Sequence, residues 1–157
     1  MNHPIPDSET VGETFQMLLG RDVGVSDAKP SSDGKQVVAS FVHADGSAAA
    51  ACTCEVALAA ATGCALSMIP AGTAKDAAKE GALSGSMKSN FYEVMNIFSR
   101  LLMNDHSPHL KLAGLFDSIA DSPADIADLI ANAPERRGYK VSVGGGYGEG
   151  VVSVFTS

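Results

Sequence analysis

The stretch 86–104, SMKSNFYEVMNIFSRLLMN, carries the clearest periodicity in the chain. At about 100° per residue, Met87, Phe91, Val94, Phe98 and Leu101 fall on one stripe, which Met95 and Leu102 widen. Ser89, Glu93, Asn96 and Arg100 fall on a second stripe, about 180° from the first. A helix with one apolar and one polar line has one stable placement in a small domain, with the apolar line on a core and the polar line in water. The pattern therefore predicts a helix over 84–104 and commits the rest of the chain to building a layer beneath it. Tyr92 and Met103 border the polar line on one side and Ile97 on the other. Apolar residues flanking an exposed polar stripe suit a partner-binding surface as well as a solvated face.

The layer is legible as strands. Residues 36–43, QVVASFVH, and 47–54, SAAAACTC, flank Asp45-Gly46, a dipeptide suited to a hairpin turn. Weak alternation marks 21–28 as a further strand, and KPSSDGK (29–35) is a turn by composition. Residues 109–116 suit a strand. The end of the chain, 138–143 and 151–156 around the glycine-rich 144–150, has the pattern of a terminal hairpin. Helices are expected over 8–19, capped by Asp7 or Ser8 and stopped by Gly20, over 55–69, ended by Pro70 and Gly72, over 74–82, and over 123–132 with Ser122 as the cap. This order predicts an α+β fold, a mostly antiparallel sheet with a layer of helices. The 157 residues fit a single domain, with 1–7 expected as a loose tail.

Charge and cysteine content narrow the function. Eleven basic residues against eighteen acidic ones give a net charge of −7, without a basic run, so nucleic acid is not an expected partner. The alanine-rich 47–69 contains Glu55, Thr53 and Thr62 and is not expected to span a membrane. Cys52, Cys54 and Cys64 are an odd set with no fourth ligand at zinc spacing. They are expected as buried free thiols in a reducing, cytoplasmic compartment. No metal site is expected. His106 and His109 flank Pro108 in a loop without a ligand pattern, and GGGYGEG lacks the Lys-Ser/Thr of a phosphate loop.

The spacing Ser89-x3-Glu93-x2-Asn96, followed by Ile97, resembles the active-site pattern of the CheC/CheX/FliY phosphatases, which dephosphorylate the chemotaxis response regulator CheY. The motif occurs once, as SNFYEVMN, which is similar to the single-motif CheX type rather than the two-motif CheC type. The order of elements, with the motif on a long helix and two closing strands, is similar as well, over about residues 8–156. Two positions depart from the family pattern: Arg100 stands where a small residue is usual, and no proline occupies the downstream position, which lies in FDSIA.

The resemblance implies a protein aspartyl-phosphate phosphatase acting on a phosphorylated CheY-like receiver domain. Asn96 would orient the attacking water and Glu93 would pair with a receiver lysine. Ser89, Tyr92, Ile97 and Arg100 would border the contact. No cofactor is implied for this chain, since the magnesium ion belongs to the receiver, and a homodimer is implied, with the terminal strands offering a pairing edge. With Arg100 in place, a non-catalytic module that docks a receiver or another signalling protein stands as the alternative.

Overall fold

The computed structural model describes residues 3–157. The chain runs α1 (Ser8–Leu19), β1 (Val23–Ala28), β2 (Gln36–His43), β3 (Ala48–Glu55), α2 (Val56–Leu66), α3 (Ala71–Glu80), α4 (Gly85–Phe98), a 3₁₀ turn (Ser99–Leu102), β4 (Leu110–Phe116), α5 (Ala124–Asn132), β5 (Glu135–Val143) and β6 (Gly148–Thr156). The strands form one six-stranded sheet in the order β1-β5-β6-β3-β2-β4, and every pairing is antiparallel. The fold is thus α+β, as the sequence pattern predicts.

Local signals explain most boundaries. Asp7 accepts the amide of Thr10 and caps α1, and Gly20 closes the helix in the left-handed conformation. Gly46, at φ 88°, lets the β2–β3 chain reverse while its amide donates to the His43 carbonyl.

The sheet has two covered faces. Val37, Ala39 and Phe41 of β2, Cys52 and Cys54 of β3, Tyr139 and Val141 of β5 and Val152 and Val154 of β6 point into the main core with α1, α2, α3 and α4. Alternating with them, Val38, Ala51 and Phe155 meet Ile126 and Ile130 of α5 in a separate cluster. One helix therefore lies on the face opposite the other four. The 29–35 turn also packs on the sheet, because Ser31 N donates to Ser153 Oγ and Thr53 Oγ1 donates to the Ser31 carbonyl.

Several expectations change. Glu55 belongs to β3, and its carboxylate accepts the Val151 amide where the β3–β6 pairing ends. Pro70 begins α3 rather than only ending α2, and Gly72 lies inside α3. A proline leading into a helix suits its fixed φ and missing N–H. Ser122 does not cap α5; its hydroxyl donates back to the Ile119 carbonyl. The helix over 84–104 is α-helical only to Phe98, where Ser99 Oγ takes the Asn96 carbonyl and the chain tightens into the 3₁₀ turn. The terminal strands β5 and β6 are interior; the edges are β1 and β4, so no pairing edge exists where one was expected. From His3 onward the expected tail is packed: His3 and Pro6 are buried and the Pro6 carbonyl accepts the Tyr139 hydroxyl.

Helix α2, VALAAATGCAL, is buried almost all round, from Leu58 through Ala65. Its small side chains let it lie between the sheet and α4. At Gly63 the approach is closest: a Cβ there would stand 2.9 Å from the Met87 carbonyl oxygen. Gly63→Ala is expected to destabilise the protein by about 1–3 kcal/mol, since backbone must move to admit the methyl group. Gly72→Ala, where a Cβ meets nothing within 4 Å, is expected to be neutral or to stabilise by up to about 1 kcal/mol. Paired denaturant titrations check both.

Candidate functional site

Burial decides which way α4 faces. Met87, Phe91, Val94, Met95 and Phe98 are buried, each contributing about 1.5–3 kcal/mol relative to exposure. The exposed Lys88–Asp117 ion pair, 3.1 Å long, is worth at most about 1 kcal/mol. The apolar line therefore sets the rotation of the helix, and Ser89, Tyr92, Glu93 and Asn96 are left exposed. Ser84 caps the helix by accepting the Met87 amide.

Glu93 and Asn96 sit three residues apart and face the same way. Among the described residues neither side chain takes part in a hydrogen bond or ion pair; the Asn96 backbone carbonyl accepts from Ser99 Oγ at 2.5 Å. The pair thus presents a free carboxylate and a free carboxamide to solvent, on a rigid element. A carboxamide can donate to one group and accept from another at once, which suits it to holding a water molecule.

The bordering residues separate. Tyr92 is 41% exposed and Ile97 is half-buried, so the polar line has an aromatic flank and a partly covered aliphatic one. Arg100 is exposed but lies on the 3₁₀ turn. Each residue there advances about 120° rather than about 100°, which carries Arg100 round from the line of Ser89, Glu93 and Asn96. The same change leaves Leu101 only half-buried while Leu102 is fully covered.

Asn90, which the stripe analysis passes over, ties this helix down. Its Nδ2 donates to the Gly63 carbonyl and to Ser67 Oγ, both at 2.8 Å. An asparagine at the border between the two stripes, one turn before Glu93, is the sequence signal that could have found it. Beside it, Met68 holds φ 57° and is 79% exposed, and the Ile69 carbonyl accepts the Tyr147 hydroxyl. The α2–α3 link is thereby fixed from two sides.

The three cysteines are free and buried. Burial pushes the Cys52 and Cys54 thiols well up from the ordinary value. Among the described residues no group of three or more His, Cys, Asp or Glu could hold a metal ion, and no helix is long and apolar enough to cross a membrane.

This architecture matches solved structures. The crystal structure of FliY from Thermotoga maritima matches with a TM-score of 0.56 and 16% identity, covering 96% of this chain and 89% of that one. The FliM middle domain from H. pylori matches at 0.48 and 7% identity, over 95% of this chain and 84% of that one, and chains of the H. pylori FliM–SpeE and FliG–FliM complexes match at 0.48 with 7% and 8% identity. No family model and no curated protein matches the sequence. The chain therefore has a FliY-like fold.

Asn90→Ala is expected to destabilise the protein by about 1–3 kcal/mol, because it removes two hydrogen bonds and leaves the Gly63 carbonyl without its partner. Thermal unfolding of the variant beside the wild type measures it.

Proposed function

We propose that this chain is a chemotaxis-type phosphatase that hydrolyses the aspartyl phosphate of a CheY-like response regulator. The observation that supports this most is the pair Glu93 and Asn96, exposed and unengaged one turn apart on α4. The FliY-like fold and the resemblance of SNFYEVMN to the CheX-type motif support it further.

The chemistry asks little of the enzyme's own acid–base strength. An acyl phosphate is already activated, and its hydrolysis needs a water molecule held in line with the phosphorus–oxygen bond. The carboxamide of Asn96 enters the receiver's site and orients that water. The water oxygen bonds to phosphorus as the bond to the aspartyl oxygen breaks; the carboxylate leaves with the bonding pair, and the water's proton passes to the phosphate or to solvent. Glu93 pairs with a receiver lysine and sets the register of docking. Ser89, Tyr92 and Ile97 border the contact. A protruding face serves this reaction where a pocket would not, since the phosphoryl group sits in the partner's site. The magnesium ion is the receiver's own and the location is the cytoplasm.

Arg100 favours a second reading, a non-catalytic module that docks a receiver on the same face. A homodimer, which the resemblance implies, would have to pair through β1 or β4; a monomer mass independent of concentration in light scattering would reject it.

Phosphate release from a phosphorylated receiver, with and without this protein, separates the two readings. Asn96→Ala is expected to lower the catalysed rate on the order of a hundredfold with the fold intact, because the side chain makes no core contact. Glu93→Ala is expected to act through docking, raising the receiver concentration for half-maximal rate by about tenfold. Arg100→Gly is expected to leave the rate equal or raise it, with a stability cost of about 1 kcal/mol. An Asn96→Ala rate equal to wild type would remove Asn96 as the water-positioning group; binding without acceleration by the wild type would leave the docking module.

A further inference from the structure

The segment before α1 is fastened by two histidines whose protons can be counted. His3 is 4% exposed. Its Nδ1 lies 3.0 Å from the Leu102 carbonyl and its Nε2 lies 2.9 Å from His43 Nε2. The ring centroids are 5.1 Å apart, so the two nitrogens lie between them and the rings meet edge on rather than face to face. His43 Nδ1 is 3.1 Å from Ser47 Oγ, which donates to Asp45 Oδ1 at 2.6 Å.

A carbonyl oxygen only accepts, so His3 Nδ1 must carry a proton. Neutral His3 then offers a lone pair at Nε2, and His43 must donate into it. If His43 is neutral, its Nδ1 accepts and the Ser47 hydroxyl turns to it; if His43 is charged, its Nδ1 donates to Ser47, which donates to Asp45. Both arrangements keep the contact. A single proton on His3 keeps it too, because neutral His43 can then carry its own proton on Nδ1, facing Ser47, and accept at Nε2; a proton on both rings does not, because it sets N–H against N–H at hydrogen-bonding distance.

We propose that His3 and His43 form a proton-operated clasp, which holds the segment before α1 against the 3₁₀ turn and the β2–β3 turn and opens when both rings are protonated. Leu102 ends the turn that continues α4, so opening frees the carbonyl at the end of the element that carries Glu93 and Asn96. The clasp does not depend on the phosphatase reading.

The groups around it agree. Burial lowers the His3 pKa most; the Leu102 carbonyl opposes that shift and His43 reinforces it. A lowered pKa means that the closed form is fully favoured above the ordinary value of 6.5 and weakens as pH falls below it. From the β2–β3 turn, Asp45 faces His43 through Ser47; the Ser47 hydroxyl and amide hold its carboxyl below the usual range, so it stays an anion while His3 titrates. His109, before β4, lines the same surface recess as His43 and Asp45, and Lys111 of β4 pairs with Val42 next to His43. The 3₁₀ turn contributes only the uncharged Leu102 carbonyl at the contact.

Two metal ligands would give a different geometry. Two nitrogens on a tetrahedral zinc, each bonded at about 2.0–2.1 Å, would lie about 3.3 Å apart, and these are 2.9 Å apart.

NMR of the whole protein with ¹⁵N-labelled histidine, from pH 8 to pH 5, tests the clasp. The expected result is the Nδ1–H tautomer of His3 at high pH, a His3 midpoint below 6.5, and loss of the His3–Leu102 and His3–His43 proximity signals in the step that leaves both rings charged. His3→Gln is expected to abolish that step. Both rings cationic while the proximity signals persist, the same acid opening in His3→Gln, or closure that requires one equivalent of added zinc or nickel would each overturn the proposal.

Discussion

The α2–α4 crossing depends on the absence of a methyl group. Gly63 lets the Met87 carbonyl approach to where a Cβ would stand 2.9 Å away, and Asn90 fastens the crossing by donating to the Gly63 carbonyl itself. Helix α2 can occupy this position because alanine, glycine, threonine and cysteine leave it slim on every side. It fills the space between sheet and α4 with little side-chain entropy lost. The position of α4, and with it the direction in which Glu93 and Asn96 point, follows from that crossing and from the five side chains buried beneath the helix.

The consequence is an exposed polar face built on a rigid element. Side chains on a helix whose rotation is set by burial are held more closely than side chains on a loop, and a water-positioning group needs that. Ser99 adds a local detail: by taking the Asn96 carbonyl it tightens the chain just past the site and turns Arg100 away from the polar line. Arg100 stands exposed on that turn, about 40° round from where continuous α-helical spacing would put it.

Much of this was readable from the chain because local and global preferences agree there. The α4 stripes, the Asp45-Gly46 hairpin and the Asp7 and Gly20 caps are short-range signals, and tertiary packing has no reason to override them. The failures are long-range. Nothing local says that β5 and β6 are inserted between β1 and β3, since strand order depends on which faces must be covered. The amphipathic α5 carries no mark of which side of the sheet it will cover. Pro70 is ambiguous in principle, as proline both stops a helix and starts one, and Met68 in a left-handed conformation has no glycine to announce it. His3 reads as part of a loose tail; its partners Leu102 and His43 are distant in sequence, so its burial is invisible until the fold brings them together. At the site, helical spacing found Glu93 and Asn96 on one face but missed Asn90, whose role exists only through α2.

The Ser89–Glu93–Asn96 face of α4 is proposed to meet a receiver domain. The most direct measurement is a backbone amide NMR titration of this protein with a CheY-like receiver held in its phosphoryl-like state by beryllofluoride. The account predicts that the largest shifts fall on the exposed residues of α4, with those of β1 and α5 unmoved, and that the unactivated receiver produces weaker changes. Shifts centred on α5, on β1 or β4, or absent at saturating activated receiver would contradict it.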